Sequence, residues 1–101
     1  MLDVEIAHSA EAVEVRFAGQ LDYTEIANCI ALLREVKQLT APRFVADLAR
    51  LTEIDSSGLG MLISIRNAAL RCGGTFHIRG ARAQVAETLE LAQFRVLATF
   101  E

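Results

Sequence analysis

Ile54-Asp55-Ser56-Ser57-Gly58-Leu59-Gly60 is the stretch whose reading decides the fold. An apolar run, Phe44-Val45-Ala46, leads toward it, and Leu59, Met61, Leu62, Ile63 and Ile65 follow it at helical spacing. The stretch therefore reads as the turn between a strand and a helix. Asp55, Ser56 and Ser57 are all suited to cap that helix, because a short side-chain oxygen accepts from N–H groups that a first turn leaves unpaired. The glycines remove side chains where the new helix must lie close to the sheet. Two hydroxyls thus come to the positive end of a helix dipole, a place that favours an arriving phosphoryl group.

Working outward, Arg43 to Leu48 predicts a short strand, nearly continuous in apolar residues, as expected of a central parallel strand covered on both faces. Ala49 to Glu53 reads as a loop. The helix after the turn is expected to run to about Cys72 and to stop at Gly73-Gly74. At about 100° per residue, Leu59, Leu62, Ile63, Ile65, Ala69, Leu70 and Cys72 fill a broad apolar arc. What remains is a narrow stripe of Ser57, Gly60, Ser64, Asn67 and Arg71, with Met61 and Ala68 at its edge. Two readings of the stripe stand open: a helix that is simply well buried, or a docking surface whose small side chains let a partner's backbone approach.

Toward the N-terminus, Val4 and Ile6, then Val13, Val15 and Phe17, alternate with polar residues and predict two half-buried strands. His8-Ser9-Ala10-Glu11 suits the hairpin turn between them, and Gly19-Gln20 closes the second strand. Asp22 then starts a helix. With Glu25 three residues on, it forms an acidic relative of the capping box. Ile26, Ile30, Leu33 and Val36 recur at helical spacing, flanked by Cys29 and Leu32, until Pro42 ends the pattern. Beyond the central helix, Thr75 to Arg79 alternates as a strand, with His77 half-exposed. Ala83 to Leu91 reads as a third helix that turns Val85, Leu89 and Ala92 inward, and Arg95 to Phe100 as a last strand. The order β-β-α-β-α-β-α-β predicts an α/β fold: a mixed, mostly parallel sheet, an N-terminal antiparallel hairpin, and helices packed on it.

Composition narrows the function. The 101 residues suit one domain spanning 1–101, and 52% hydrophobic against 23% charged residues describes a packed chain rather than a disordered one. Ten Lys and Arg against thirteen Asp and Glu give a net charge of −3, and the basic residues are scattered, which argues against nucleic acid as a direct partner. No apolar run reaches the roughly 18 residues of a membrane span, and Met1-Leu2-Asp3-Val4-Glu5 has no signal-peptide character. The expectation is a cytoplasmic protein without membrane insertion. Cys29 and Cys72 lack metal-ligand spacing and are expected to be buried, reduced thiols rather than metal or redox groups. No cofactor or metal is expected.

In this order of elements, Asp55-Ser56-Ser57-Gly58-Leu59-Gly60 resembles the signature of STAS domains, and more narrowly that of bacterial anti-sigma factor antagonists. Gly19-Gln20-Leu21-Asp22, Gly73-Gly74-Thr75, and Val85 and Leu89 followed by Phe94 match as well, so the resemblance covers essentially the whole chain. It implies a non-enzymatic switch. The unphosphorylated protein binds an anti-sigma factor that is also a serine kinase, and so frees the sigma factor. The kinase then phosphorylates a serine, and a metal-dependent serine phosphatase resets the protein. Carried onto this chain, the phosphoacceptor is Ser56, supported by Asp55, Ser57 and Gly58. Asp22, Ser57, Gly60, Met61 and Ser64 belong to the partner-binding surface, and a homodimer is compatible. Two departures bear on partner choice and self-association: many members carry a further C-terminal helix where this sequence stops at Glu101, and Ala92-Gln93 stands where a glycine is typical.

Rival chemistries fit less well. A serine hydrolase needs a base beside its nucleophile and, in the elbow pattern, a glycine two residues before the serine; Ser56 has Ile54 there. The glycines lack the GK[ST] ending of a phosphate-binding loop, although weak nucleotide binding stays open. The serines as mere helix caps, and a STAS scaffold or subunit of a lipid-transport or stress-signalling assembly without a phosphoswitch, remain the alternatives.

Overall fold

A computed structural model describes residues 1–101. Strands β1 (Leu2–His8) and β2 (Ala12–Leu21) form the expected antiparallel hairpin. Its turn is drawn together by Ser9, whose hydroxyl accepts from the Glu11 and Ala12 N–H groups, both at 3.2 Å. His8 belongs to the end of β1 rather than to the turn. A 3-10 turn (Tyr23–Glu25) leads into α1 (Ile26–Val36), followed by β3 (Arg43–Ile54), α2 (Ser56–Arg71), β4 (Thr75–Arg79), α3 (Ala83–Leu91), a second 3-10 turn (Phe94–Val96) and β5 (Thr99–Phe100). The five strands lie in the order β1-β2-β3-β4-β5, with every pair after the first parallel.

The pleat separates two faces. Val13, Phe44 and Phe76 stand in one cross-strand row, and Ile6, Val15, Ala46, Ile78 and Phe100 in the next. These rows meet Leu32 and Val36 of α1, Leu62, Ile65 and Ala69 of α2, and Val85 and Leu89 of α3 in one core. Each fully buried aliphatic side chain there contributes about 1.5–3 kcal/mol. The opposite face carries Glu5, Arg16, Asp47 and Arg79 in one row and Glu14, Val45 and His77 in another. β3 is thus central but covered by helices on one face only. Its other face is covered by ion pairs: Arg16 reaches Glu5 at 2.7 Å and Glu14 at 3.0 Å, and Arg79 reaches Asp47 at 3.1 Å and also Glu14.

Several boundaries differ from the sequence reading. β3 does not end at Leu48: the expected loop Ala49 to Glu53 continues the strand to Ile54, because β2 stays paired with it through register shifts as far as Leu21↔Ile54. Asp22 caps the short 3-10 turn and not α1, and Glu25 accepts from Asn28 instead of closing a capping box. α1 turns Leu32 and Val36 inward and leaves Ile26 and Ile30 about half exposed. In α2, Met61 and Ala68 are buried and Leu70 is exposed, so the inward arc is rotated from the one projected. Ala92 faces solvent. The last strand is reduced to Thr99–Phe100, since Phe94 is buried through a 3-10 turn. Neither cysteine is fully buried: Cys29 is half-buried and Cys72 exposed. Partial burial, with Glu25 as the lesser cause, raises the Cys29 thiol pKa. No helix is long and apolar enough to cross a membrane.

Candidate functional site

The site forms where β3 outruns β4 and the chain reverses into α2. Asp55 is held from four directions. Its N–H donates to Leu21 O (3.3 Å), and its C=O accepts from Leu59 N–H (3.0 Å). Its carboxylate accepts from Gly58 N–H at Oδ1 (3.1 Å) and from Tyr23 N–H at Oδ2 (3.1 Å). The first carboxylate bond caps α2, as a short acidic side chain at a helix N-terminus does. The second ties the 3-10 turn after β2 to the same residue. One aspartate thereby locks two chain reversals together.

Ser56 and Ser57 occupy the first two helical positions behind this cap. Of the three residues suited to capping, Asp55 does it alone, and neither serine hydroxyl has a hydrogen-bond partner within the chain. Ser56 is exposed and Ser57 half-buried. Their backbone N–H groups also lack acceptors within the chain, so two donors and the positive end of a helix dipole lie at the exposed Ser56 hydroxyl.

The glycines divide. Gly58 is buried, and a Cβ there would lie 2.5 Å from both Leu21 O and Ile54 Cγ1; only a bare backbone lets α2 start this close to the ends of β2 and β3. At Gly60 a Cβ would meet nothing within 4 Å. The fold therefore does not need a glycine at position 60. Ser64, one turn on, donates its hydroxyl back to Gly60 O at 3.0 Å and lies flat against the helix. Met61, placed on the partner surface by the sequence reading, is only 4% exposed and packs in the core, so it offers no side chain to a partner.

Asp22 lies across the junction. Its carboxylate accepts from the Thr24 hydroxyl and from Thr24 N–H (3.0 Å), and these two bonds, the hydroxyl first, hold its pKa below the ordinary carboxylate value. Tyr23, Ile26 and Ile30 sit beside this junction, 69%, 51% and 49% exposed. Asn28, Ala31 and Glu35 on α1 line a cleft against β1, and at about 3.6 residues per turn Ile26 and Ile30 project from the opposite side of the helix. Sequence reasoning missed Tyr23, whose position directly after the capping Asp22 was the available signal. It also missed Gln84, whose side chain bonds the backbone of Ile54 across thirty residues and which no local pattern marks.

A family model described as Mlab, STAS domain matches residues 4–99. No curated protein sequence matches the chain. Among solved structures, an anti-sigma factor antagonist from Mycobacterium paratuberculosis aligns with a TM-score of 0.85 at 15% identity, covering 99% of this chain and 85% of its own. The anti-sigma factor antagonist SpoIIAA in its unphosphorylated form aligns at 0.73 and 19% identity, covering 100% and 87%. A variant of Moorella thermoacetica RsbS aligns at 0.72 and 26%, covering 95% and 84%. With the match to the family model spanning nearly all of the sheet and helices that build the site, the chain belongs to the STAS-domain family.

Proposed function

We propose that this chain is a cytosolic, non-enzymatic anti-sigma factor antagonist whose binding is switched off by phosphorylation of Ser56. In its unmodified form, the stripe of Ser57, Gly60 and Ser64, flanked by Asp22 and by the exposed Tyr23, Ile26 and Ile30, docks an anti-sigma factor that is also a serine kinase. The sigma factor is released. Phosphate transfer to Ser56 ends the docking, and a metal-dependent serine phosphatase restores it.

The observation that carries this reading is the division of labour at the helix start. Asp55 supplies the cap, so neither hydroxyl is committed to the fold. An exposed serine at the first helical position, with unpaired N–H groups behind it, is accessible to a kinase and tolerant of the product. A phosphate adds about −1.5 to −2 charges. In the free protein the helix dipole and water accommodate that charge. In a docked interface the same dianion is desolvated beside the Asp55 carboxylate, so the switch works by local charge and bulk without refolding.

The test is intact-mass spectrometry of the protein incubated with ATP and the kinase-like protein encoded nearest its gene, with Ser56→Ala alongside. A gain of one phosphate, absent from the variant, establishes both the switch and its acceptor. Ser56→Ala should still bind and should not be released by ATP; Ser56→Asp should bind weakly. A stable complex that never takes phosphate makes the chain a constitutive scaffold or transport-system subunit instead. A phosphate that survives in Ser56→Ala moves the acceptor to Ser57.

A further inference from the structure

We propose that Gln84 is a positioning residue for the phosphoacceptor segment, its carboxamide standing in for the strand that β3 lacks beside Ile54. This rests on reading Ser56 as the acceptor. β3 pairs with β4 only from Arg43↔Thr75 to Asp47↔Arg79, where β4 ends, yet it runs on to Ile54 with β2 alone beside it. The far edge of that extension has no neighbouring strand. A strand end with free N–H and C=O groups on one side opens readily, and this one leads directly into Asp55 and Ser56.

Two side chains from the start of α3 serve this edge. Arg82 Nε donates to Ala49 O at 3.1 Å. Gln84 does more: Ile54 N–H donates to its Oε1 at 3.0 Å, and its Nε2 donates to Ile54 O at 3.1 Å. A carboxamide presents an acceptor and a donor side by side, as a peptide group does, so one side chain pairs both backbone groups of Ile54. Nε2 also reaches Thr88 Oγ1 at 2.9 Å, one helical turn on, which orients the amide. Ile54 is thus gripped by Gln84 on one side and lies opposite Leu21 on the other.

The backbone carries a second sign. Ala83, immediately before Gln84, has φ 52°. This left-handed conformation is unfavourable for any residue with a Cβ, and such strain persists where surrounding structure demands it. Val85 and Leu89 already bury α3. The strained entry is therefore accounted for by the aim it gives Gln84. Glutamate cannot replace it, having no donor when ionised, and methionine keeps the approximate shape with neither group.

The experiment compares wild type, Gln84→Met and Gln84→Glu by backbone amide exchange and by the kinetics of Ser56 phosphorylation. Exchange at Ile54 should rise roughly fivefold in Gln84→Met, the scale of a lost hydrogen bond, and less in Gln84→Glu, whose carboxylate still accepts from Ile54 N–H, while α1 amides stay unchanged. The kcat for phosphorylation should fall with KM held, because the docking stripe on α2 is untouched. Unchanged Ile54 exchange in Gln84→Met overturns the clamp. Faster exchange with unchanged kcat overturns its positioning role. Should Gln84→Met fail to fold, Gln84→Ala, which likewise removes both the acceptor and the donor of the carboxamide, gives the same comparison. A wild type that takes no phosphate refutes the phosphoswitch itself and the clamp's role in it, on data separate from the exchange rates.

Discussion

Gly60→Ala separates what the fold needs from what a partner needs. Gly60 lies inside α2, is exposed, and has open space where its Cβ would be. Alanine therefore meets no steric resistance, and the intrinsic preference of a helix interior decides the sign: about 0.8–1.0 kcal/mol in favour of alanine. For a domain of this size that corresponds to a rise in Tm of roughly 4–8 °C. The Ser64 hydroxyl bond survives, since its acceptor is the backbone carbonyl of residue 60. Docking should respond the other way. A methyl group raised from a stripe of small residues keeps an opposing backbone at a distance, and an overpacked contact of this kind costs about 1–3 kcal/mol, roughly fivefold to 150-fold in affinity. Urea or thermal unfolding gives the first quantity, and titration of the anti-sigma partner gives the second. A destabilised Gly60→Ala would refute the geometry assigned to this face of α2. A stabilised variant with unchanged affinity would refute docking along the stripe.

Gly58→Ala should do the reverse, losing about 1–3 kcal/mol in urea unfolding because its Cβ runs into Leu21 O and Ile54 Cγ1; unchanged stability would mean that α2 does not start against the strand ends. Arg79→Met leaves Asp47 without its cation and Glu14 with Arg16 alone on the open sheet face, and should cost about 0.5–1 kcal/mol, less in high salt, where screening weakens both the pairs and the repulsion left behind; a loss independent of salt would point to packing instead. Asp22 is held at a low pKa by Thr24, so its stabilising contribution is present above the ordinary carboxylate range and is lost as pH falls through the folded-state value. The stability gap between wild type and Asp22→Asn should accordingly be open at neutral pH and narrow below about pH 4, and a gap that widens on acidification would refute the assignment.

Features with a local physical cause were legible in the sequence. The β-strand period in Val13-Glu14-Val15-Arg16-Phe17 appears as the two faces of β2. The stop at Gly73 is a left-handed residue with φ 78° behind α2, and α3 spans the expected Ala83–Leu91. Tertiary facts were not. Leu51 lies in a stretch, Ala49 to Glu53, whose charged and polar residues read as loop, and the partner strand β2 makes it extended. Ile26 and Ile30 fit an inward helical face as well as Leu32 and Val36 do; which pair is buried depends on how α1 is set by the turn that Asp55 anchors. The motif named the serines but not which of three capping residues caps. That choice follows from the Leu21–Asp55 and Tyr23–Asp55 bonds, which tie together segments more than thirty residues apart.

The one-sided sheet explains why the site sits where it does. Each crossover from β2 to β5 steps to the next strand in the same direction, and right-handed connections then put all three helices on one face. On the bare face every one of Glu5, Glu14 and Asp47 is paired with Arg16 or Arg79, so its charge is largely spent within the sheet. The helical layer, by contrast, presents an exposed edge near the strand ends at the start of α2, the surface on which the proposed docking rests. There β3 extends beyond the end of β4 and lifts Ser56 clear of the sheet, at the carboxyl end of a parallel strand, where open α/β folds place their ligand sites. Reach and rigidity conflict at such a point, because an overhanging strand end loses its neighbours as it gains exposure. Asp55, bonded through its backbone and carboxylate to both reversals, and Gln84, paired with Ile54, resolve that conflict by keeping an accessible hydroxyl on a fixed support.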